Sequence, residues 1–294
     1  MNICTTCDFK YIEKGLCLYE SLNRYADDLT LHWLCLDEKT YNKLSELNLP
    51  KVIPYSLEQL EIEDELLVQA KSNPPSQYGD AQSQYFWCLT PYFVNYILER
   101  LQKDERLLYC DSDIYFYDSP KVVLNTLDNK SVAIHTHRFS GQYDDDISSG
   151  WYNVGVMGFK KDIIGFDVSK KWKHWLLHLH HPYYEKYGTC GDQKYLNLFK
   201  KLWGDANICV FDEECSILHQ AAWCTERGSN AEQKPLFYHF SHFVSEENSW
   251  RDSLRGEWNP SAIDYIKPLY EEYFEEHKKI REKYLCSQLS DISK

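Results

Sequence analysis

An α/β fold with a mainly parallel sheet is the architecture this sequence predicts, and three observations predict it. Residues 2–6 (NICTT) read as a strand, a helix with Leu18, Leu22 and Tyr25 on one face follows, and Leu31 to Leu36 reads as the next strand. Strand–helix–strand alternation is the signature of parallel pairing. Leu107-Leu108-Tyr109-Cys110 is an unbroken apolar run, the kind a strand carries when both of its faces are covered. Asp111-Ser112-Asp113 closes that run at once, placing polar chemistry at a strand's carboxyl end, where open α/β sheets bind ligands.

The remaining elements follow in order. Lys51 to Pro54 reads as a short third strand and Ser72 to Ser76 as a loop. Tyr85 to Leu101 is mixed and apolar, and helical from Thr90-Pro91, because proline suits a first helical turn. Val132 to His135 and Val154 to Phe159 are further strands, with a polar, acidic, mobile loop at 141–150. Trp172 to His180 and Asp192 to Lys201 read as helices, Leu236 to Phe240 as a late strand, and Tyr265 to Leu285 as a long charged helix. With no internal repeat or linker, one domain over residues 1–245 is expected, and a helical extension over 246–294 packed on or beside it.

The chain of 294 residues is 43% hydrophobic, enough for a sizeable core. Aromatics make up 15%, including 23 Tyr and 9 Trp, whose flat, partly polar faces suit sugar rings and bases as well as packing. A formal charge of −13 argues against a general nucleic-acid binder. An acidic cleft still accepts a phosphorylated ligand when a divalent cation bridges the two. The 11 cysteines are odd in number and scattered, and Met1 to Tyr11 lacks the basic start and apolar stretch of a secretory signal. The expectation is reduced thiols in a cytoplasmic protein. Cys4 and Cys7 form a lone C-x-x-C, read as buried thiols at a strand end rather than a zinc site. No apolar run approaches the roughly 20 residues that cross a bilayer.

The acidic pair carries the most chemistry. Two hard oxygen ligands separated by one residue can share Mg²⁺ or Mn²⁺ and leave coordination positions for diphosphate oxygens. The competing reading is a pair of solvated, turn-forming aspartates.

Leu107 to Phe116 (LLYCDSDIYF) resembles the aspartate motif of glycosyltransferases with the GT-A fold. Three segments match in order: Asn153 to Met157 (NVGVM) resembles the N-x-G-V/L segment of family 8 and related retaining enzymes, Gly191 to Asn197 (GDQKYLN) their D-Q-x-x-L-N motif, and Tyr238 to Ser241 (YHFS) their H-F-S/T stretch. Residues 4–18 (CTTCDFKYIEKGLCL) are similar to the strand and helix that hold the nucleotide base. The likeness spans residues 2–243. It implies a GT-A (Rossmann-like) catalytic domain, with Asp111, Asp113 and His239 binding Mn²⁺ or Mg²⁺. It further implies Thr5, Thr6, Tyr11, Asp111, Ser112, Asn153 and Gly155 around the donor, and Asp192 with Gln193 at the reaction centre. Asn153 would hydrogen-bond sugar hydroxyls and Gly155 would let the backbone approach the donor. For His239 the alternative is a core histidine on an aromatic strand, with His242 a rival ligand; for Asp192 it is a helix cap. The sequence departs from family 8 in two places: no Lys or Arg falls between Lys71 and Arg100, and His242-Phe243-Val244 stands where G-x-x-K-P-W is usual.

The expected activity is transfer of a sugar, with UDP-hexose the prior donor, to a glycan or lipid-linked saccharide with retention. The competing activities are an inverting transfer, with Asp192 or one of Asp144, Asp145 and Asp146 as base, a nucleotidyltransferase, and a non-catalytic glycan binder. Against nucleotidyl transfer, Thr5 to Gly15 carries only Lys10 and Lys14 rather than a Gly-rich basic loop. His178, His180 and His181 sit at neighbouring helix positions that do not converge on a metal. Ile217 to Trp223 is a candidate acceptor segment, through His219 and Trp223. The C-terminal helix mixes Tyr270, Phe274 and Ile280 with Lys278, Lys279, Arg281 and Lys283, so a peripheral membrane contact, a homodimer contact or packing on the domain are all open.

Overall fold

The computed structural model describes residues 1–73, 80–139, 149–178, 191–224, 234–253 and 260–286. In chain order the first strands are β1 (Asn2–Cys7), β2 (Thr30–Cys35), β3 (Val52–Ser56), β4 (Arg106–Cys110), β5 (Ile114–Phe116), β6 (Val132–Thr136), β7 (Tyr152–Lys160) and β8 (Ile208–Val210). All but β5 form one sheet in the order β3-β2-β1-β4-β7-β6-β8. The pairings are parallel except on the two sides of β7, which runs antiparallel to β4 and to β6. That reversal places the start of β7 beside the end of β4. Strands β9 (His219–Ala221) and β10 (Phe237–His239) join β5 in a second sheet, and β11 (Phe243–Ser245) pairs with β12 (Trp250–Asp252).

Both faces of the main sheet are covered, as the β4 sequence requires. Leu108 and Cys110 point into a cluster with Leu16, Leu22 and Phe237, while Leu107 and Tyr109 point into one with Phe93, Trp172 and Phe199. The first cluster is capped by α1 (Ile12–Tyr25). Gly15 lets this helix lie against the sheet, since a Cβ there would fall 2.2 Å from the Trp33 ring. The second is capped by two longer helices, Ala81–Arg100 and Ile163–His178. The described cysteines, Cys4 and Cys7 included, are free thiols, and Cys7 accepts a hydrogen bond from the Trp33 indole at 3.2 Å.

Several elements differ from the sequence expectation. The helix expected from Thr90-Pro91 begins ten residues earlier, at Ala81, because Asp80 caps it by accepting from the Ser83 amide at 2.9 Å. Pro91 therefore sits inside the helix, where it cannot donate to the Trp87 carbonyl. The segment after Asp192 is a 3-10 helix, Gln193–Leu198, continued by a short α-helix, Phe199–Trp203. Short helices Glu38–Leu47, Leu57–Glu63 and Glu65–Ser72 were not anticipated, although Asp37, Ser56 and Asp64 cap them with their side chains.

The C-terminal helix spans Pro260–Ile280 and ends in a π-helical turn, Arg281–Leu285. Its Tyr270, Tyr273, Phe274 and Ile280 are buried in the same cluster as α1, so the apolar face considered for lipid is occupied within the fold. Its basic groups are paired internally: Arg281 with Glu13 at 2.9 Å, Lys283 with Glu20 at 2.7 Å and Lys278 with Glu275 at 2.7 Å. The boundary expected after residue 245 falls inside the β11–β12 hairpin. Among the described residues no helix is long and apolar enough to cross a membrane.

Candidate metal and nucleotide-sugar site

A cleft of about 580 Å³ opens where β1 and β4 end, and Thr6, Tyr11, Asp111, Ser112, Asp192 and His239 are among its walls. Backbone geometry explains why such distant residues meet. The amide of Asp111 donates to the Gly155 carbonyl at 2.9 Å, extending the β4–β7 pairing by one residue. The chain then turns, with the Ile114 amide donating to the Asp111 carbonyl at 3.1 Å. The Phe240 amide donates to the Asp113 carbonyl at 2.8 Å, and His239 pairs with Ile114 across β5 and β10. The aspartate turn is thus tied to β7 on one side and to the end of β10 on the other.

One oxygen from each of Asp111 and Asp113 and one nitrogen of His239 lie within 4.8 Å of one another. His239 Nε2 is 3.1 Å from Asp113 and 3.6 Å from Asp111. The Asp113 side chain is 10% exposed and that of Asp111 30%, so the pair spans the cleft floor and its wetter edge. Burial works against ionising Asp113, but the neighbouring His239 and Lys14 hold its carboxyl well below the usual range. Burial raises the carboxyl pKa of Asp111, and the charge of Asp113 adds to the rise. Burial opposes protonation of His239, yet Asp113 and Asp111 overcome it and push the imidazole pKa up. Protonation of His239 therefore competes with metal binding, since a cation at Nε2 must displace any proton there. Two carboxylate oxygens and one imidazole nitrogen are a donor set that fits Mg²⁺ or Mn²⁺.

Asn153 organises this triad. Its Oδ1 accepts from the Gly155 amide at 2.8 Å and lies 3.2 Å from His239 Nδ1. Its Nδ2 donates toward His137 Nε2 at 3.2 Å and Gln193 Oε1 at 3.3 Å. The network assigns the neutral-state proton of His239 to Nδ1 and aims Nε2 at the aspartates. The amide of Asn153 thus ties His239, Gly155, His137 and Gln193 together at the cleft wall. Gly155 also shapes this corner. A Cβ there would lie 2.7 Å from both Asn153 Oδ1 and His239 Nδ1, so the missing side chain makes room for the histidine. Gly155→Ala is expected to displace His239 and weaken Mn²⁺ binding by about 10- to 100-fold, the usual effect of disturbing a metal ligand's support. Titration of Mn²⁺ followed through the electron paramagnetic resonance of the free ion checks this.

Tyr109 donates to Asp111 Oδ1 at 2.7 Å and is 3.3 Å from the Thr90 hydroxyl, which lies on the long helix beneath the cleft. Asp192 is buried in the cleft wall at the start of the 3-10 helix. It stands at the N-cap position of that helix, where its side chain accepts no capping bond of ordinary geometry. Burial, reinforced by the charge of Asp111, pushes its carboxyl up to about 8.

Of the other expected residues, Thr6, Tyr11, Ser112, Gln193 and Trp223 line the cleft. Trp223 donates its indole N–H to the His137 carbonyl at 2.8 Å and meets the His239 ring edge-on at 5.2 Å. Thr5 does not line it: strand alternation turns this residue into the sheet, where it is fully buried. His219 is also away from the cleft. It is buried, stacks on Phe237 at 5.4 Å and lies 3.2 Å from His135 and 3.4 Å from Asp212, the surroundings of a core histidine. His242 lines the cleft but is outside the triad. Asp144, Asp145, Asp146, His180 and His181 lie outside the described residues, and so does the His178 side chain. Lys14, Trp87, Thr90 and His137 were missed. Lys14 stands 3.6 Å from Asp113, and its position three residues after Tyr11, on the same helical side, was the available signal.

No known family model matches the chain. Two Bacillus subtilis (strain 168) proteins are similar to it. The uncharacterized protein YfnF is 26% identical over 292 residues, covering 92% of this chain and 90% of its own. The uncharacterized protein YfnD is 25% identical over 248 residues, covering 80% of this chain and 75% of its own. Among solved structures, mouse xyloside xylosyltransferase 1 in its apo form superposes with a TM-score of 0.54 at 16% identity, covering 81% of this chain and 96% of that one. The galactosyltransferase LgtC, in complex with donor and acceptor sugar analogs, also gives 0.54, at 13% identity, covering 95% of this chain and 96% of that one. The fold is GT-A. In a GT-A frame the Asp111-Ser112-Asp113 turn is the D-x-D element, and in this chain His239 completes an acidic, metal-competent triad beside it.

Proposed function

We propose that the chain is an enzyme, a metal-dependent glycosyltransferase that moves a sugar from a nucleoside diphosphate donor, with UDP-hexose the leading candidate, to a glycan or lipid-linked saccharide with retention. The observation that carries this reading is the meeting of Asp111, Asp113 and His239 in one corner of a cleft that also holds Asp192 and Gln193. The two solved neighbours, a xylosyltransferase and a galactosyltransferase, support the reaction class. Mn²⁺ or Mg²⁺ held by the triad would neutralise the negative charge growing on the departing diphosphate, an effect of several kcal/mol.

The chain's own groups supply the rest. Tyr11, 42% exposed at the cleft mouth, offers a ring face to the nucleobase, with Thr6 beside it at the end of β1. Asp192 sets an acidic group against the positive charge that develops on the sugar, and Gln193, oriented by Asn153, lines the same wall. Trp223 presents an apolar edge for the acceptor.

A second reading has one observation in its favour. A carboxyl held up to about 8 suits a general base, so Asp192 could deprotonate the acceptor in an inverting transfer. Incubation with a nucleotide-sugar panel and Mn²⁺, followed by NMR of the product, separates the two. The expected product keeps the donor's anomeric configuration. The opposite configuration sinks retention, and release of pyrophosphate instead of nucleoside diphosphate sinks the transferase.

A further inference from the structure

The cleft is unusually poor in positive charge for a site that takes a diphosphate. Asp8, Asp111, Asp113 and Asp192 line it, whereas no Lys or Arg does among the described residues. Lys14 is a cation set against its wall. From α1 its Nζ reaches 3.6 Å from Asp113 Oδ2, donates to the Phe240 carbonyl at 3.2 Å and sits 4.7 Å from the centre of the Tyr11 ring. Its side chain is only 12% exposed, so this charge is held rather than solvated. Asp113 and Tyr11, the groups it lies between, both face the cleft.

We propose that Lys14 is the fixed positive charge of the diphosphate site. The proposal rests on the glycosyltransferase reading and adds to it the group that selects an anionic leaving group. A dication cancels the two aspartate charges and leaves the corner neutral. Lys14 makes it cationic, through a three-proton head that uses one donor on the Phe240 carbonyl. The same charge repels the incoming metal, because it stands beside one of the metal's own ligands. Lys14 therefore trades metal affinity for diphosphate affinity. A residue that only braced Asp113 would favour both.

Calorimetric titration of the whole chain tests this with two probes: Mn²⁺ alone, then UDP at saturating Mn²⁺. Lys14→Gln keeps a donor for the Phe240 carbonyl but loses the charge. It is expected to bind Mn²⁺ about threefold or more tighter and UDP about tenfold or more weaker, the opposite signs following from charge alone. Lys14→Arg is expected to stay near wild type in both. Loss of both affinities in Lys14→Gln, or Mn²⁺ binding no tighter than wild type, overturns the proposal. Wild-type protein that binds Mn²⁺ but no UDP would instead remove the nucleotide reading beneath it, while the Mn²⁺ arm still judges Lys14.

Discussion

Replacing either aspartate of the D-x-D turn is expected to abolish turnover, yet the two replacements should part company in stability. Each removes one of the triad's two carboxylates, and loss of a metal's transition-state stabilisation of several kcal/mol corresponds to a rate loss on the order of a thousandfold. Asp113 also holds together the metal-free site. It is buried between Lys14 at 3.6 Å and His239 at 3.1 Å. Asp113→Ala leaves the buried Lys14 charge without its carboxylate and removes the nearer acidic neighbour of His239, a change that costs about 3 kcal/mol or more. Asp111 is more exposed, and its surroundings already disfavour its charge. Asp111→Ala should therefore lose activity while melting close to wild type. Thermal melts without metal, read beside nucleoside diphosphate release with Mn²⁺, check both halves. Equal destabilisation by the two variants would show that the charge arrangement around Asp113 has been misassigned.

Asp192→Asn is expected to remove activity and stabilise the protein at the same time. The native carboxyl is pushed from 3.8 up to about 8 by burial and by the charge of Asp111. Between these values the folded chain keeps a proton that the unfolded chain has released, so stability falls as pH rises from about 4 to about 8. Holding that proton so far out of its ordinary range corresponds to a cost of ionisation on the order of 5 kcal/mol as a ceiling. Asparagine has the same shape and no charge to lose. Its metal-free form should melt at the same temperature as wild type near pH 4 and increasingly above it toward pH 8. Turnover should fall by about a hundredfold or more, because asparagine can neither ionise beside the reacting sugar once a cation offsets Asp111 nor exchange a proton there. With Mn²⁺ bound, the stability gap should narrow, since the cation offsets the Asp111 charge. A melting temperature for Asp192→Asn that tracks wild type at every pH would contradict the burial argument.

The fold was legible where the chain states its environment locally. The β4 run could belong only to a covered strand, and Leu107 to Cys110 do alternate between the two clusters. Helices with thin apolar faces were not legible: Glu38–Leu47 buries only Thr40 and Leu44, too few to set a period, although Asp37 marked its start. The proline at 91 misled because a first-turn position is its common place, whereas here packing holds the helix together around it. In the site, Asp111, Asp113 and His239 were readable from motifs. What spacing could not supply was which side of each neighbour faces the cleft. Thr5 and Thr6 are adjacent, yet the pleat buries one and presents the other. Asn153 and Gly155 contact or make room for His239, a relation that needs the β7–β10 contact and that spacing does not show. Lys14 reaches the site by its contacts with Asp113 and the Phe240 carbonyl, which its spacing from Tyr11 signals only in part.

The central claim is that the Asp111–Asp113–His239 triad grips a dication that in turn grips a nucleotide's phosphates. Thermal melting of the whole chain with a panel of nucleoside diphosphates, in Mn²⁺ and again in EDTA, tests it most directly. A ligand at a hundred times its dissociation constant adds about 2.7 kcal/mol, which for a chain of this size raises the melting temperature by about 5 °C. The predicted result is such a rise for at least one nucleoside diphosphate in Mn²⁺, absent in EDTA and absent in Asp111→Ala. An equal rise in EDTA, or no rise with any nucleoside diphosphate, would contradict it.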